Sequence, residues 1–289
     1  MYRSHPREGF GAVISRLSGA MVRAMLVVLM IAMPGLILPQ VSNDTIQMVM
    51  LVAIFGAALT IFEYSSTYPG LVEFREAPPF NRIRFFSLFV TVFLLSVIAR
   101  GEVAPTAYTE IVAAVGALIA SAMDFPYSPV RLVVLMLPDG TPAAQTEMIR
   151  TGAGISYLTS LVTLAVFLIV LRLRNWPTRN GAFNVWVNLP TFDPTAAGDV
   201  VARLERDARV NIALGFLLPF LTPAAVKAAS ALFGSVSLVS PHTFIWTVAA
   251  WAFLPASLFM RGIAMGRIAS LIADKRRRSA AADEALVAA

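Results

Sequence analysis

The chain has no cysteine, which removes disulfides, thiolate metal sites and covalent haem attachment together. Histidine is nearly absent: His5 lies in a polar N-terminal arm and His242 in a short loop. No histidine pair can therefore face across helices to hold a haem, and both are read as surface residues. Lysine is scarce too, with Lys227 and Lys275 standing against 21 arginines. With the abundant alanine, that bias points to a GC-rich bacterial genome. Charge of either sign is thin at 14% of 289 residues, while 57% are hydrophobic. A soluble domain would be about a quarter charged and nearer half apolar, so the expected fold class is an all-α polytopic membrane protein.

No Gly-rich phosphate loop, metal-ligand cluster or nucleophile and base pair can be drawn. Lys227 and Ser230 stand three apart, formally a serine-lysine dyad, but one turn of helix without an activating neighbour is a weak signal. The reading is a chain that is not an enzyme, with no cofactor and no metal.

What the chain does have is apolar runs near the roughly 20 residues that a helix needs to cross about 30 Å of hydrocarbon. Full spans are predicted over 21–38, 46–62, 83–99, 107–123, 152–171, 211–234 and 243–260. The short run 130–137 adds a half-spanning segment, giving about eight in one domain over 21–266. Residues 1–20 form a basic arm and 267–289 a basic tail, disordered from Ser279. Arg3, Arg7, Arg16 and Arg23 before the first apolar run resemble a signal peptide, but Pro39-Gln40-Val41-Ser42-Asn43 offers no small-x-small cleavage site. The first helix is therefore expected to stay, with its N-terminus in the cytoplasm.

Two long loops are expected on the cytoplasmic side. Loop 63–84 carries turn signals at Pro69-Gly70 and Pro78-Pro79, with Tyr64, Tyr68 and Phe80 at the headgroups or forming a partner surface. Loop 172–209 opens with the interfacial anchor Arg172, Arg174 and Trp176, then alternates over 183–189 like a weak strand. Asp193-Pro194 reads as the start of an amphipathic surface helix with Ala197, Val201, Leu204 and Ala208 on one stripe.

The break at 124–129 decides sidedness. Were 129–138 not to cross, Arg172, Arg174, Arg179, Arg203, Arg206, Arg209 and the run Lys275 to Arg278 would all face outward, against the positive-inside rule. Crossing places them in the cytoplasm beside Arg75, Arg82 and Arg84, leaving Arg100 and Arg150 outside. The run 130–137 reaches only about 12 Å as a helix. Either it extends by tilting, or it forms a hairpin with its break buried inside the protein, as in transporter binding sites. The helix over 107–123, with small residues at Ala113, Gly116, Ala117, Ala120 and Ser121, is expected at the bundle centre.

Ionisable residues in spans are candidates because burial there is costly. Glu110 and Lys227 are assigned to the outer leaflet as one pair; Asp124 or Glu63 is assigned to the inner leaflet with Arg131. Lys275, Arg276, Arg277 and Arg278 join Arg172, Arg174 and Trp176 as contacts to anionic headgroups, at about 1 kcal/mol per basic residue. The expected function is a non-catalytic accessory, scaffold or assembly component of a bacterial inner-membrane complex. It would meet the lipid bilayer and other membrane proteins through its cytoplasmic loops, and no nucleic acid. A small-solute secondary transporter using 124–129 and 219–223 is the alternative, and a membrane-embedded lipid-modifying enzyme the third.

Overall fold

A computed structural model describes residues 10–174, 176–177, 183–233, 238 and 240–287. The arm through residue 9, with Arg3, His5 and Arg7, lies outside the described residues, as does Arg179. The described elements are helical: α1 (Phe10–Ile37), α2 (Asn43–Ser65), α3 (Phe80–Val103), α4 (Ala107–Met123), α5 (Pro129–Leu135), α6 (Ala143–Leu173), α7 (Val185–Asn188), α8 (Val200–Phe233) and α9 (Pro241–Val287). Six of them, α1, α2, α3, α6, α8 and α9, are long and apolar enough to cross a membrane, the architecture of a multi-pass membrane protein.

Local chemistry sets many of the starts. Ser42 caps α2 through Thr45 N, Thr106 and Thr109 form a reciprocal capping box on α4, and Ser128 caps α5 with Pro129 at its first position. α8 begins at Val200 with Asp199 accepting from Ala202 N at 3.0 Å. Asp193 instead closes a local turn onto Thr195, so the helix start expected at Asp193-Pro194 moves to Asp199. Gly198, at φ +99°, breaks the chain between the two, a conformation closed to most L-residues.

Antiparallel packing alternates the six long helices. Gly56 of α2 lies against Val27 and Ile31 of α1, and Arg100 of α3 donates to Ile37 O at 2.7 Å. Thr163 of α6 bonds Ser87 of α3, and Ser160 of α6 bonds Ala252 O of α9. Gly215 and Gly262 let α8 and α9 approach at backbone contact. Helices α1, α3 and α8 therefore begin at one end, where α2, α6 and α9 finish. That end holds Arg75, Arg82, Arg172, Arg174 and Arg203, and is called the basic end below. A buried cluster sits at each end: Phe74, Phe80, Phe167, Trp176 and Leu204 at the basic end, and Met33, Leu38, Ala99, Ile149 and Phe244 at the other.

Prolines interrupt α8 without ending it. Pro223 has no N–H for the Pro219 carbonyl four residues back, and Trp251 Nε1 donates to that carbonyl at 3.1 Å.

Several expectations are corrected. α4 is 17 residues long and buries only Thr109, Gly116 and Ala120, so it leans on α6 rather than occupying the centre, which α6 and α9 share. The stripe Val201, Leu204 and Ala208 is the first part of the single 34-residue α8, not a separate surface helix. The weak strand over 183–189 is the one-turn α7. The tail after Ser279 continues α9 through Val287, in keeping with its alanines and their high helix propensity. His242 sits in the first turn of α9 with both ring nitrogens buried.

Candidate functional site

The two long loops at the basic end fold onto one another. Glu63, in the last turn of α2, accepts from the backbone N–H groups of Gly70, Leu71 and Val72 at 2.9 to 3.1 Å, a nest that pins the chain after the helix. Arg75 donates to the carbonyls of Glu63, Ser66 and Thr67, closing the same loop from its far side. Glu73 forms a two-pronged ion pair with Arg261 of α9 at 2.7 and 2.8 Å and also accepts from Thr191 of the second loop. Asn188 joins the loops, accepting from Phe74 N and Glu76 N.

Beneath these bonds the rings of Phe74, Phe80, Phe167 and Trp176 pack with centroids 4.3 to 6.4 Å apart, mostly tilted or edge-to-face. Trp176 is 2% exposed and donates to Ala77 O at 3.0 Å. It belongs to the cap's interior rather than to the headgroup anchor, and Phe80 is buried beside it. Arg172 and Arg174 are exposed, as are Lys275, Arg276, Arg277 and Arg278. Arg276 bonds Asp199 at 2.5 Å, while Arg277 is occupied by Asp274. The Arg276 guanidinium and the Ala202 N–H hold the Asp199 carboxyl below the usual carboxylate range.

At the opposite end the structure brings together Asp124 and Arg131, at 2.8 Å, as one of the two inner pairings expected. It adds Arg150 of α6 at 3.5 Å. The Arg131 contact is ionic more than an aligned hydrogen bond, since Asp124 Oδ1 has no partner of hydrogen-bond geometry, while Arg150 Nη1 donates to Asp124 Oδ2. Arg150 also bonds Glu147 at 2.8 Å.

The level of this cluster differs from the expectation. Val130, Val133 and Leu137 belong to the buried cluster of Met33, Leu38, Ala99 and Phe244, and Gly101 beside Thr109 places the start of α4 there too. Asp124 meets Arg150 about 10 Å into α6, so the break lies in the half away from the basic end. Glu63 sits at the basic end and cannot reach Arg131. Lys227 donates to Leu137 O at 3.2 Å and lies 3.9 Å from Asp139, whereas Glu110 is exposed on α4 and does not meet it. Ser230 bonds Val226 O, so no serine-lysine dyad forms.

Between α1, α2 and α3, at their basic ends, lies a groove of about 860 Å³. Arg23, Arg75, Arg82 and Arg84 line it, and no acid does among the described residues. Arg84 lies 5.4 and 5.9 Å from the rings of Phe80 and Phe253, its Nε buried without a hydrogen-bond partner. Sequence reasoning missed Arg84, Arg150, Glu73 and Arg261. The signal for Arg84 was its place just inside the predicted span 83–99; the other three depend on long-range packing. No group of three or more metal-ligating side chains occurs among the described residues. The chemistry on offer is binding of anions and of apolar chains. Comparison with family models, with curated proteins and with solved structures finds nothing that matches this chain.

Proposed function

We propose that this chain is a non-catalytic accessory or assembly protein of the bacterial inner membrane, with its basic end and both termini in the cytoplasm. The orientation rests on the positive-inside rule, with the arginines of both long loops and the tail on one side and few basic residues on the other. In this reading α4 and α5 form a re-entrant pair that leaves and returns on the outer side. The sidedness argued from charge then holds without a second full crossing, and the start of α8 emerges as an amphipathic cytoplasmic segment.

One observation carries the accessory reading: the acids are committed to structure. Glu63 holds a loop, Glu73 holds Arg261 and Thr191, and Asp124 faces two arginines. A proton-coupled carrier or a hydrolase needs an ionisable group free to meet its substrate, and each of these is bonded to its own loop or helix neighbours. What the basic end offers instead is a braced cap suited to holding a partner at the cytoplasmic surface.

The test is purification in a mild detergent. A partner recovered in fixed stoichiometry supports the reading; a clean monomer that saturably binds a small solute supports the transporter alternative, which rests on the break at 124–129. Because the chain lacks cysteine, single cysteines at the exposed Tyr127 and at Thr141 can be labelled from either side. Both are expected to react from the periplasm only, and cytoplasmic labelling at Tyr127 would overturn the re-entrant pair.

A further inference from the structure

The groove between α1, α2 and α3 separates its polarity along the bundle axis. Arg82 and Arg84 stand in the first turns of α3 and Arg75 in the cap, at the basic end. Leu26 and Met30 continue the α1 wall inward, Met30 lying about 10 Å beyond Arg23, and Leu88 and Phe253 complete the apolar side. The volume falls in the range of about 300 to 1,000 Å³ usual for small-molecule sites. Lipid tails alone would satisfy the apolar wall; the arginines ask for more.

Arg84 is the informative one. Its guanidinium lies over the rings of Phe80 and Phe253, and its Nε is buried and unpaired. Glu73, the acid whose field reaches it, spends both oxygens on Arg261. A partly buried cation with no hydrogen-bonded counter-ion is costly, and an anion entering from the groove would relieve that cost. Arg75 is tied to carbonyls and Arg23 leans on Tyr64 with Nη1 on Gly19 O, so Arg84 and the exposed Arg82 are the donors left for a ligand. Guanidinium groups suit phosphate oxygens.

We propose that this groove holds one anionic phospholipid, its phosphate against Arg84 and Arg82 and an acyl chain along Leu26, Met30 and Phe253. The site is independent of whether the cap also holds a protein. It differs from the surrounding lipid in having a fixed, partly buried cation beside a shaped apolar wall.

Native mass spectrometry of the full chain in detergent, supplied with phosphatidylglycerol or phosphatidylcholine, tests it. Wild type is expected to retain one phosphatidylglycerol and to release phosphatidylcholine. Arg84→Gln should lower retention about tenfold or more, as loss of a charge-assisted contact implies. Leu26→Trp, which narrows the groove without altering charge, should lower it as well. Arg209→Gln, an exposed arginine elsewhere, should change nothing. Should Arg84→Gln fail to fold, Arg82→Gln at an exposed position gives the same readout with a smaller, severalfold loss. Equal retention of the two lipids would overturn the proposal, as would retention unaffected by Leu26→Trp and the folded arginine variant. Inorganic phosphate alone displacing the lipid would show a bare anion site and equally overturn it.

Discussion

The two ends of the molecule solve the same problem with different means. At the basic end, long connections between helices are folded into a cap, and each acid there serves a particular loop or helix: Glu63 the backbone of 70–72, Glu73 the distant Arg261 and Thr191. At the opposite end the α1–α2, α3–α4 and α5–α6 connections are short, and one acid, Asp124, serves two arginines across a break between α4 and α5. Side-chain exposure separates the two designs. Glu73 and Arg261 are 11% and 24% exposed; Asp124 is deeper still at 5%, but its partners Arg150 and Arg131 are 29% and 42% exposed. An ion pair shut away from water is costly to break, and one that water can reach is not.

That contrast can be broken in order of expected effect. Glu73→Ala should be the most damaging, about 3 kcal/mol, because it strands Arg261 and releases the second loop from the first. Thermal unfolding in detergent measures it, and the double variant with Arg261→Met should lose less than the sum of the two singles. Glu63→Ala should follow at about 2 kcal/mol, since three amides lose their acceptor but two of their residues can reach water. The same experiment should show limited proteolysis gaining a site near 66–72. Asp124→Asn should cost less, about 1 kcal/mol, because an amide oxygen can still accept from the arginines and both of them are more exposed than Arg261. An Asp124→Asn loss exceeding that of Glu73→Ala would reverse the comparison.

Trp251→Phe removes the donor to the Pro219 carbonyl while keeping most of the packing, and should cost about 1 kcal/mol, read from the same melting curve. The smallest effect concerns pH. Asp199 is held below the usual carboxylate range in the folded protein, so its bond to Arg276 is complete above about pH 4 and is lost as pH falls through the lower folded value. Spin labels on the start of α8 and the tail of α9 should separate on acidification, and Asp199→Asn should remove that pH dependence.

Much of the fold was legible because it rests on local chemistry. Six of the seven full spans expected correspond to helices long enough to cross, and the bounds of α4 at 107–123 follow from its Thr106 cap and its break before Pro126. Asp124 and Arg131 could be paired from sequence because seven residues and one turn separate them. Arg150, 26 residues from Asp124, and Arg261, 188 from Glu73, could not. Trp176 looked like an interfacial anchor because a sequence of basic and aromatic residues after a span reads that way whether the ring points to lipid or into a cap.

Composition and length by themselves determined that this chain forms long apolar helices able to cross a membrane, because hydropathy acts segment by segment. The tertiary structure decided how deep the break at 124–129 lies, which acids are spent on loops, and that Arg84, among the described residues, keeps a buried Nε without a hydrogen-bond partner. Those outcomes depend on which helix faces meet. In a chain whose helices are apolar nearly all round, no periodicity announces the faces, and close-packed contacts such as Gly154 on Ala120 select them.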